Sequence, residues 1–237
     1  MTLGAATRAL IDTASAPYRA AGGFAYHFAR GKLRGDPAFA GILKLGLLRD
    51  RERILDLGCG QGLLAAWLLA ARACYVAKAW PPSWPAAPCP ASIRGIELRE
   101  RDVRRAQRAL GEKAEFVTGD IRNADYGTAD AVVILDVLHF MDYRAQERVL
   151  ERVRGALAAG GVLLLRVGDA DGGIRFRISK CVDQIVLLAH EFRRPRLYCR
   201  SVHDWQNVLA DDGFDSEAVP MSAGTPFADV LLIARPK

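Results

Sequence analysis

The chain has 237 residues, of which 51% are hydrophobic and 25% charged. That balance excludes a disordered or fibrous protein and suffices to fill one large core. The formal charge of +6 and pI near 9.2 permit an acidic partner, such as a nucleic acid or an acidic carrier protein, without requiring one.

The start, "MTLGAATRALIDTASAP", lacks a basic end followed by an unbroken apolar core, so no secretory signal is expected. Residues 1–50 hold no strand pattern. They predict two or three helices, broken at Gly22–Gly23 and at "RGDP", that form a cap or lid. From residue 51 to 237 strands and helices alternate. "RILDL" is a short apolar run ended by glycine, the pattern of a buried strand, and "QGLLAAWLLAARA" continues with helical spacing. The segment 77–91, "AKAWPPSWPAAPCPA", carries five of the eleven prolines and reads as an inserted surface loop. "SIRGIEL" is a second strand, and "RERDVRRAQRALG" is a helix closed near Gly111. "AEFVTGD" and "DAVVILD" add two strands. "YRAQERVLERVRGALAAGG" is an amphipathic helix with Val149, Leu150, Val153 and Leu157 on one face, closed by its glycines. "VLLLRVGD" is a fifth strand, "FRISKCVDQIVLLAHEF" a helix with a wide apolar stripe, and "SVHDWQNVLADDGF" a helix opened by a Ser201–Asp204 capping box. "FDSEAVPM" and "FADVLLIARP" close the chain as a strand pair. Repeated strand–helix units predict a parallel, doubly wound α/β sheet with right-handed crossovers.

Five cysteines (Cys59, Cys74, Cys89, Cys181 and Cys199) show neither C-x-x-C pairs nor zinc spacing with histidine. They read as reduced thiols, with no metal site, in a cytoplasmic protein. No apolar run approaches the ~18 residues that would span a bilayer.

In a doubly wound sheet, ligands bind beyond the carboxyl ends of the strands. Gly58, Gly60 and Gly62 stand there after the first strand, in "ILDLGCGQG". A dinucleotide fingerprint is G-x-G-x-x-G. This one is G-x-G-x-G, and Asp56 precedes it by two residues. A carboxylate in that turn repels pyrophosphate and suits an ammonium or sulfonium. Glu97, at the end of the second strand, is placed to accept hydrogen bonds from ribose hydroxyls. Asp120 follows the third strand, near where an adenine amino group would be met, and Asp136 and His139 follow the fourth.

"ILDLGCGQG", "GIEL", "VTGDI", "ILDVLHFMD" and "LAAGGVLLL" resemble the successive motifs of the class I S-adenosylmethionine-dependent methyltransferases, from Arg53 to Gly168, about half of the chain. The resemblance implies a Rossmann-like seven-stranded sheet whose last strand, "FADVLLIA", is antiparallel, with S-adenosyl-L-methionine as cofactor. It implies that Asp56, Gly58, Cys59, Gly60 and Gly62 line the methionine end and that Glu97 and Leu98 meet the ribose. Asp120 and Ile121 would meet the adenine, and Asp136 the amino group or the pocket wall. Plainer roles exist: helix caps for Asp56 and Asp136, turn residues for Gly60, Gly62 and Asp120, and a small filler for Cys59.

Methyl transfer is an in-line displacement in which a base is needed only when the acceptor starts protonated. His139 is the candidate base, with cofactor packing as its plainer role. Tyr18, Tyr26, His27 and Arg30 are candidates for a lid, with Arg30 or Lys32 meeting an anionic group. His190, His203 and Tyr198 lie in the region that would face the acceptor. Arg101, Arg104, Arg105 and Arg108 share a helix face that could dock RNA or an acidic protein, or simply face water. "DVLH" resembles the small-molecule branch of the family and lacks an N-P-P-Y tetrapeptide; Cys89–Pro90 lies before the second strand, away from the place of a cytosine-C5 nucleophile. The expected activity is methylation of a small-molecule, lipid or carrier-bound acceptor. The alternatives are an RNA or protein methyltransferase and a non-catalytic cofactor-binding protein.

Overall fold

A computed structural model describes residues 4–171, Gly173 and 196–237. The helix expected over 176–192, with Cys181 and His190, lies outside the described residues. Three helices open the chain: α1 (Ala5–Ser15), α2 (Gly23–Gly35) and α3 (Pro37–Lys44), with a 3₁₀ segment at Ala16–Ala21. Gly22 breaks the first pair at φ 108, and Asp36 caps α3 by accepting the Ala38 N–H at 3.0 Å, with Pro37 in the first helical position. Strands β1 (Arg53–Leu57), β2 (Ser92–Glu97), β3 (Glu115–Thr118), β4 (Ala129–Leu135) and β5 (Leu157–Gly168) alternate with α4 (Leu63–Val76), α5 (Glu100–Leu110) and α6 (Tyr143–Ala156). Helix α7 (Val202–Asp211) leads into β6 (Phe214–Pro220) and β7 (Asp229–Pro236).

The sheet has seven strands in the order β3-β2-β1-β4-β5-β7-β6. β1 to β5 are parallel, and β7 runs antiparallel to both β5 and β6. β7 is thus the antiparallel strand, as expected, and it lies inside β6 rather than at the edge. The order reverses between β1 and β4, which opens a crevice at their carboxyl ends.

Strand side chains alternate between two cores, following the two-residue period of a strand. Ile54, Ile93, Val133 and Leu164 face α1 to α5, while Leu55, Ile96, Val132 and Leu163 face α6 and α7. Helix α4 is apolar on all sides, so both its faces must be covered. The sheet covers one and α1 to α3 the other: Leu10, Ile11, Tyr18 and Ile42 belong to the same buried cluster as Trp67 and Leu68, and the Trp67 indole donates to the Phe39 carbonyl at 2.8 Å. The first 50 residues therefore share the core of the sheet.

Helix α6 stops at Ala156, earlier than the glycines predict. Leu157 already pairs with Ala129, and the chain then makes an irregular excursion before Val162 pairs with Ala131. Gly161 belongs to that excursion: a Cβ there would lie 2.8 Å from the Ala158 carbonyl. The 77–91 segment is a loop pinned on its own surface. Trp80 and Trp84 meet edge to face with centroids 5.4 Å apart, and the Trp80 indole donates to the Pro85 carbonyl at 2.8 Å. No helix among the described residues is long and apolar enough to cross a membrane.

Candidate functional site

A cavity of about 450 Å³ opens at the switch point, lined from the ends of four parallel strands and from α2. The β1–α4 turn contributes Gly58, Gly60 and Gln61; the end of β2 contributes Glu97, Leu98 and Arg99; the end of β3 contributes Asp120, Ile121 and Arg122. Leu135, Asp136, Val137, Phe140 and Met141 follow β4, and Phe28 projects from α2.

The glycine turn has this shape because side chains would not fit it. Gly58 has φ 77, and a Cβ there would lie 2.3 Å from a Val137 methyl. At Gly62, φ 74, a Cβ would lie 2.7 Å from the Phe116 ring. The turn is tied to β2 by the Gly58 and Cys59 amides, which both donate to the Ile96 carbonyl, at 2.8 and 3.2 Å. Glu97 is a second tie: one carboxylate oxygen accepts the Gly60 N–H at 3.0 Å and the other the Arg99 N–H at 2.9 Å. Each oxygen keeps a lone pair for a further donor. Asp120 is gripped by Arg122, and that hydrogen bond holds its carboxyl below the ordinary range despite its partial burial.

Asp56 lies behind the turn, 4% exposed, and is not among the residues lining the cavity. Burial, reinforced by the nearby Glu97 charge, pushes its pKa up to about 7. Cys59 is a packed filler: burial raises its thiol far above neutrality, and its sulfur would sit 2.6 Å from a Cβ at Gly95.

Beyond β4 the chain turns sharply, with Asp136 at φ 60. His139 follows, half-buried, its ring 4.0 Å from that of Phe140 and its carbonyl accepting the Tyr198 N–H at 2.9 Å. Its neighbours Phe140 and Met141 line the cavity.

The four N-terminal candidates do not converge on the cavity. Tyr18 is fully buried, and its hydroxyl donates to the Gln61 carbonyl at 2.7 Å, so it braces the glycine turn from below rather than forming a lid. Tyr26 stacks with Arg19, His27 is exposed against the Tyr26 edge, and Arg30 pairs with Asp12. The α2 residue that lines the cavity is Phe28, stacked beside Phe24, over which Arg105 lies at 4.9 Å. Of the acceptor-region candidates, His203 is exposed beside Asn207, and Tyr198 packs edge to face on Tyr143. On the arginine face of α5, Arg104 pairs with Glu100 and Arg105 with Asp102, both within the helix.

Gln61 and Arg166 are among the residues that escape the sequence reading. Gln61 is 5% exposed, lines the cavity, and its side-chain oxygen has no hydrogen-bond partner among the described residues. Arg166, on β5, is 2% exposed and joins Asp36 to Asp136. The signal for Arg166 was present: a charge inside the apolar run "VLLLRVG" must be paired if the strand is buried.

These residues fit a nucleoside sulfonium: a carboxylate with free lone pairs at the end of β2, an apolar wall from Leu98 and Ile121, and a turn too tight for side chains. A family model described as "Methyltransferase domain" matches residues 55–163. Carboxy-S-adenosyl-L-methionine synthase of Chromohalobacter salexigens is 33% identical over 143 residues, 56% of this chain and 48% of that protein. The enzyme of the same name from Actinobacillus succinogenes is 26% identical, over 70% of this chain and 65% of its own. This chain thus spans between about half and two thirds of those relatives. Among solved structures, magnesium protoporphyrin IX methyltransferase from Synechocystis PCC 6803, with S-adenosylhomocysteine bound, superposes with a TM-score of 0.59 at 21% identity, covering 91% of this chain and 88% of that one. That likeness carries the fold, and the matching domain carries the motifs. Residues 55–163 thus match a methyltransferase domain, and the chain is similar to class I S-adenosylmethionine-dependent methyltransferases.

Proposed function

We propose that the protein binds S-adenosyl-L-methionine in the switch-point cavity and transfers its methyl group to a small-molecule or carrier-bound acceptor. The observation that carries this reading is Glu97. Its carboxylate is fixed by two backbone amides yet keeps acceptor capacity toward the cavity. That arrangement suits a vicinal pair of hydroxyls and disfavours a pyrophosphate.

When bound, the cofactor supplies an activated methyl group, and the chain supplies alignment and a dry surround. In this reading Gly58 and Gly60 leave room at the methionine end, and Asp56 supplies negative charge from beneath. Leu98 and Ile121 flank the base, with Asp120 at its polar edge. Asp136 and Val137 form the wall toward the acceptor. His139, in the short turn it shares with Phe140, is the proposed base for a protonated acceptor. A small acceptor is preferred to a nucleic acid or a protein because two of the four α5 arginines, Arg104 and Arg105, are engaged by acids of their own helix.

Isothermal titration should show micromolar uptake of S-adenosylmethionine and none of NAD, and the reverse result overturns the assignment. An acceptor screen reading S-adenosylhomocysteine release then tests turnover. Cofactor bound with no release across the panel points to a non-catalytic protein, and turnover unchanged in His139→Ala removes His139 as the base.

A second reading comes from the curated relatives, which carry the name carboxy-S-adenosyl-L-methionine synthase. On that reading the product is a carboxylated cofactor rather than a methylated acceptor. Mass spectrometry of the small molecules released from the purified protein separates the two, because the carboxylated cofactor is heavier by the mass of carbon dioxide.

A further inference from the structure

A buried guanidinium sits where the cavity, the sheet and the N-terminal helices meet. Arg166 directs its Nε to one Asp136 oxygen at 2.8 Å and its Nη2 to the other, while its Nη1 is bonded to Asp36. The Asp136 N–H also donates to the Arg166 carbonyl at 3.3 Å, so the two residues are bound through backbone and side chain alike. Lys32 closes the group from α2, 2.9 Å from Asp36 and 3.8 Å from Asp136. A planar fork with five donors can hold two carboxylates in fixed directions, which an ammonium cannot do.

The partners of Arg166 lie on opposite sides of a boundary. Asp136 lines the cavity in a left-handed backbone conformation unusual outside glycine, and it leads into the turn that carries Val137 and Phe140. Asp36 does not line the cavity; it is buried at the α2–α3 junction and caps α3. Phe28, one turn before Lys32 on α2, forms part of the cavity wall.

We propose that Arg166 is a positioning residue for the cofactor site. By holding Asp36 and Asp136 in one grip, it sets the cavity rim at 135–137 and the seat of α2 and α3 as a single unit, so the placement of the N-terminal helices governs the affinity of the cavity. The ionisation states agree with this. Burial alone would raise Asp36, yet Arg166 and Lys32 outweigh it and hold its pKa at about 2, so the grip is fully charged at neutrality. The inference rests on the cofactor reading above, and the wild-type titration keeps the two apart.

The test uses the full chain and S-adenosylhomocysteine as probe. If the wild-type protein does not bind it, the cofactor reading fails. If it does, Asp36→Asn is the decisive variant, because asparagine keeps the α3 cap and the position does not touch the cavity. With an unchanged circular-dichroism spectrum, its Kd should rise roughly tenfold, within the usual range of coupling between separate sites. Arg166→Lys, which keeps the charge but loses the fork, should weaken binding similarly, and Asp36→Asn combined with Asp136→Asn should cost less than the sum of the two alone. Hydrogen exchange on the wild-type protein gives a readout that needs no variant: the probe should protect amides in 37–44, which are remote from the cavity lining. Binding by Asp36→Asn and Arg166→Lys within twofold of wild type overturns the proposal; should both fail to fold, absence of that protection overturns it.

Discussion

The Gly60 amide donates to Glu97 Oε2 at 3.0 Å, so the turn after β1 and the end of β2 share one hydrogen bond inside the cavity. The residue proposed to read the ligand's hydroxyls therefore also shapes the glycine turn. Glu97→Gln puts an amide N–H2 where an oxygen now accepts a backbone N–H. A charged hydrogen bond of about 1.5–3 kcal/mol is lost, and S-adenosylmethionine affinity should fall about ten- to hundredfold. Calorimetric titration checks this, and the thermal midpoint should drop by several degrees, because the lost bond also ties the glycine turn to β2.

Gly58 and Gly60 both have positive φ but different surroundings. A methyl at Gly58 would collide with Val137, whereas at Gly60 nothing lies within 4 Å of the added carbon. Gly60→Ala should cost only the backbone strain, about 1 kcal/mol. Gly58→Ala adds an overpacking cost of about 1–3 kcal/mol and displaces the cavity wall, so it should also abolish cofactor binding. Denaturant midpoints and titration of the two variants side by side separate them.

Burial of Asp56 gives the site a pH signature. Its folded pKa, about 7, is raised above the ordinary aspartate range. The stability it contributes is therefore full below about pH 4 and is lost as pH rises through 7. A cationic ligand favours the ionised carboxylate, so binding S-adenosylmethionine should release protons near pH 6–7 and weaken as pH falls below that range. Calorimetry in buffers of different ionisation heat measures the release, and Asp56→Asn should abolish it.

Tyr18 links the N-terminal helices to the glycine turn through the Gln61 carbonyl. Tyr18→Phe leaves that carbonyl without its donor in a dry interior and should destabilise the fold by about 1–3 kcal/mol. The thermal midpoint should drop and the cofactor Kd should rise, because the turn loses its brace. An unchanged Kd in a folded variant would show that β2 alone shapes the turn.

Much was legible in the chain because local chemistry decided it. Short apolar runs marked β1 to β5 in order, the first of them ended by glycine, proline density marked the 77–91 loop, and Ser201 with Asp204 marked the start of α7. The glycine spacing and the acidic residues at successive strand ends located the cavity before any contact was known, since a parallel sheet with a reversal in strand order must open there. Tertiary packing decided which of those groups face the ligand. Asp56 follows the strand period into a dry position behind the turn, where burial favours its neutral form, while Glu97 emerges into the cavity. Tyr18, a lid candidate in the chain, is drawn into the core that covers the all-apolar α4, while Phe28, not among those candidates, lines the cavity. The Arg166 grip on Asp36 and Asp136 joins residues 130 and 30 positions apart. Periodicity and propensity act over a few residues and carry no term for such a pairing, whereas burial of a charge forces it once the sheet has formed.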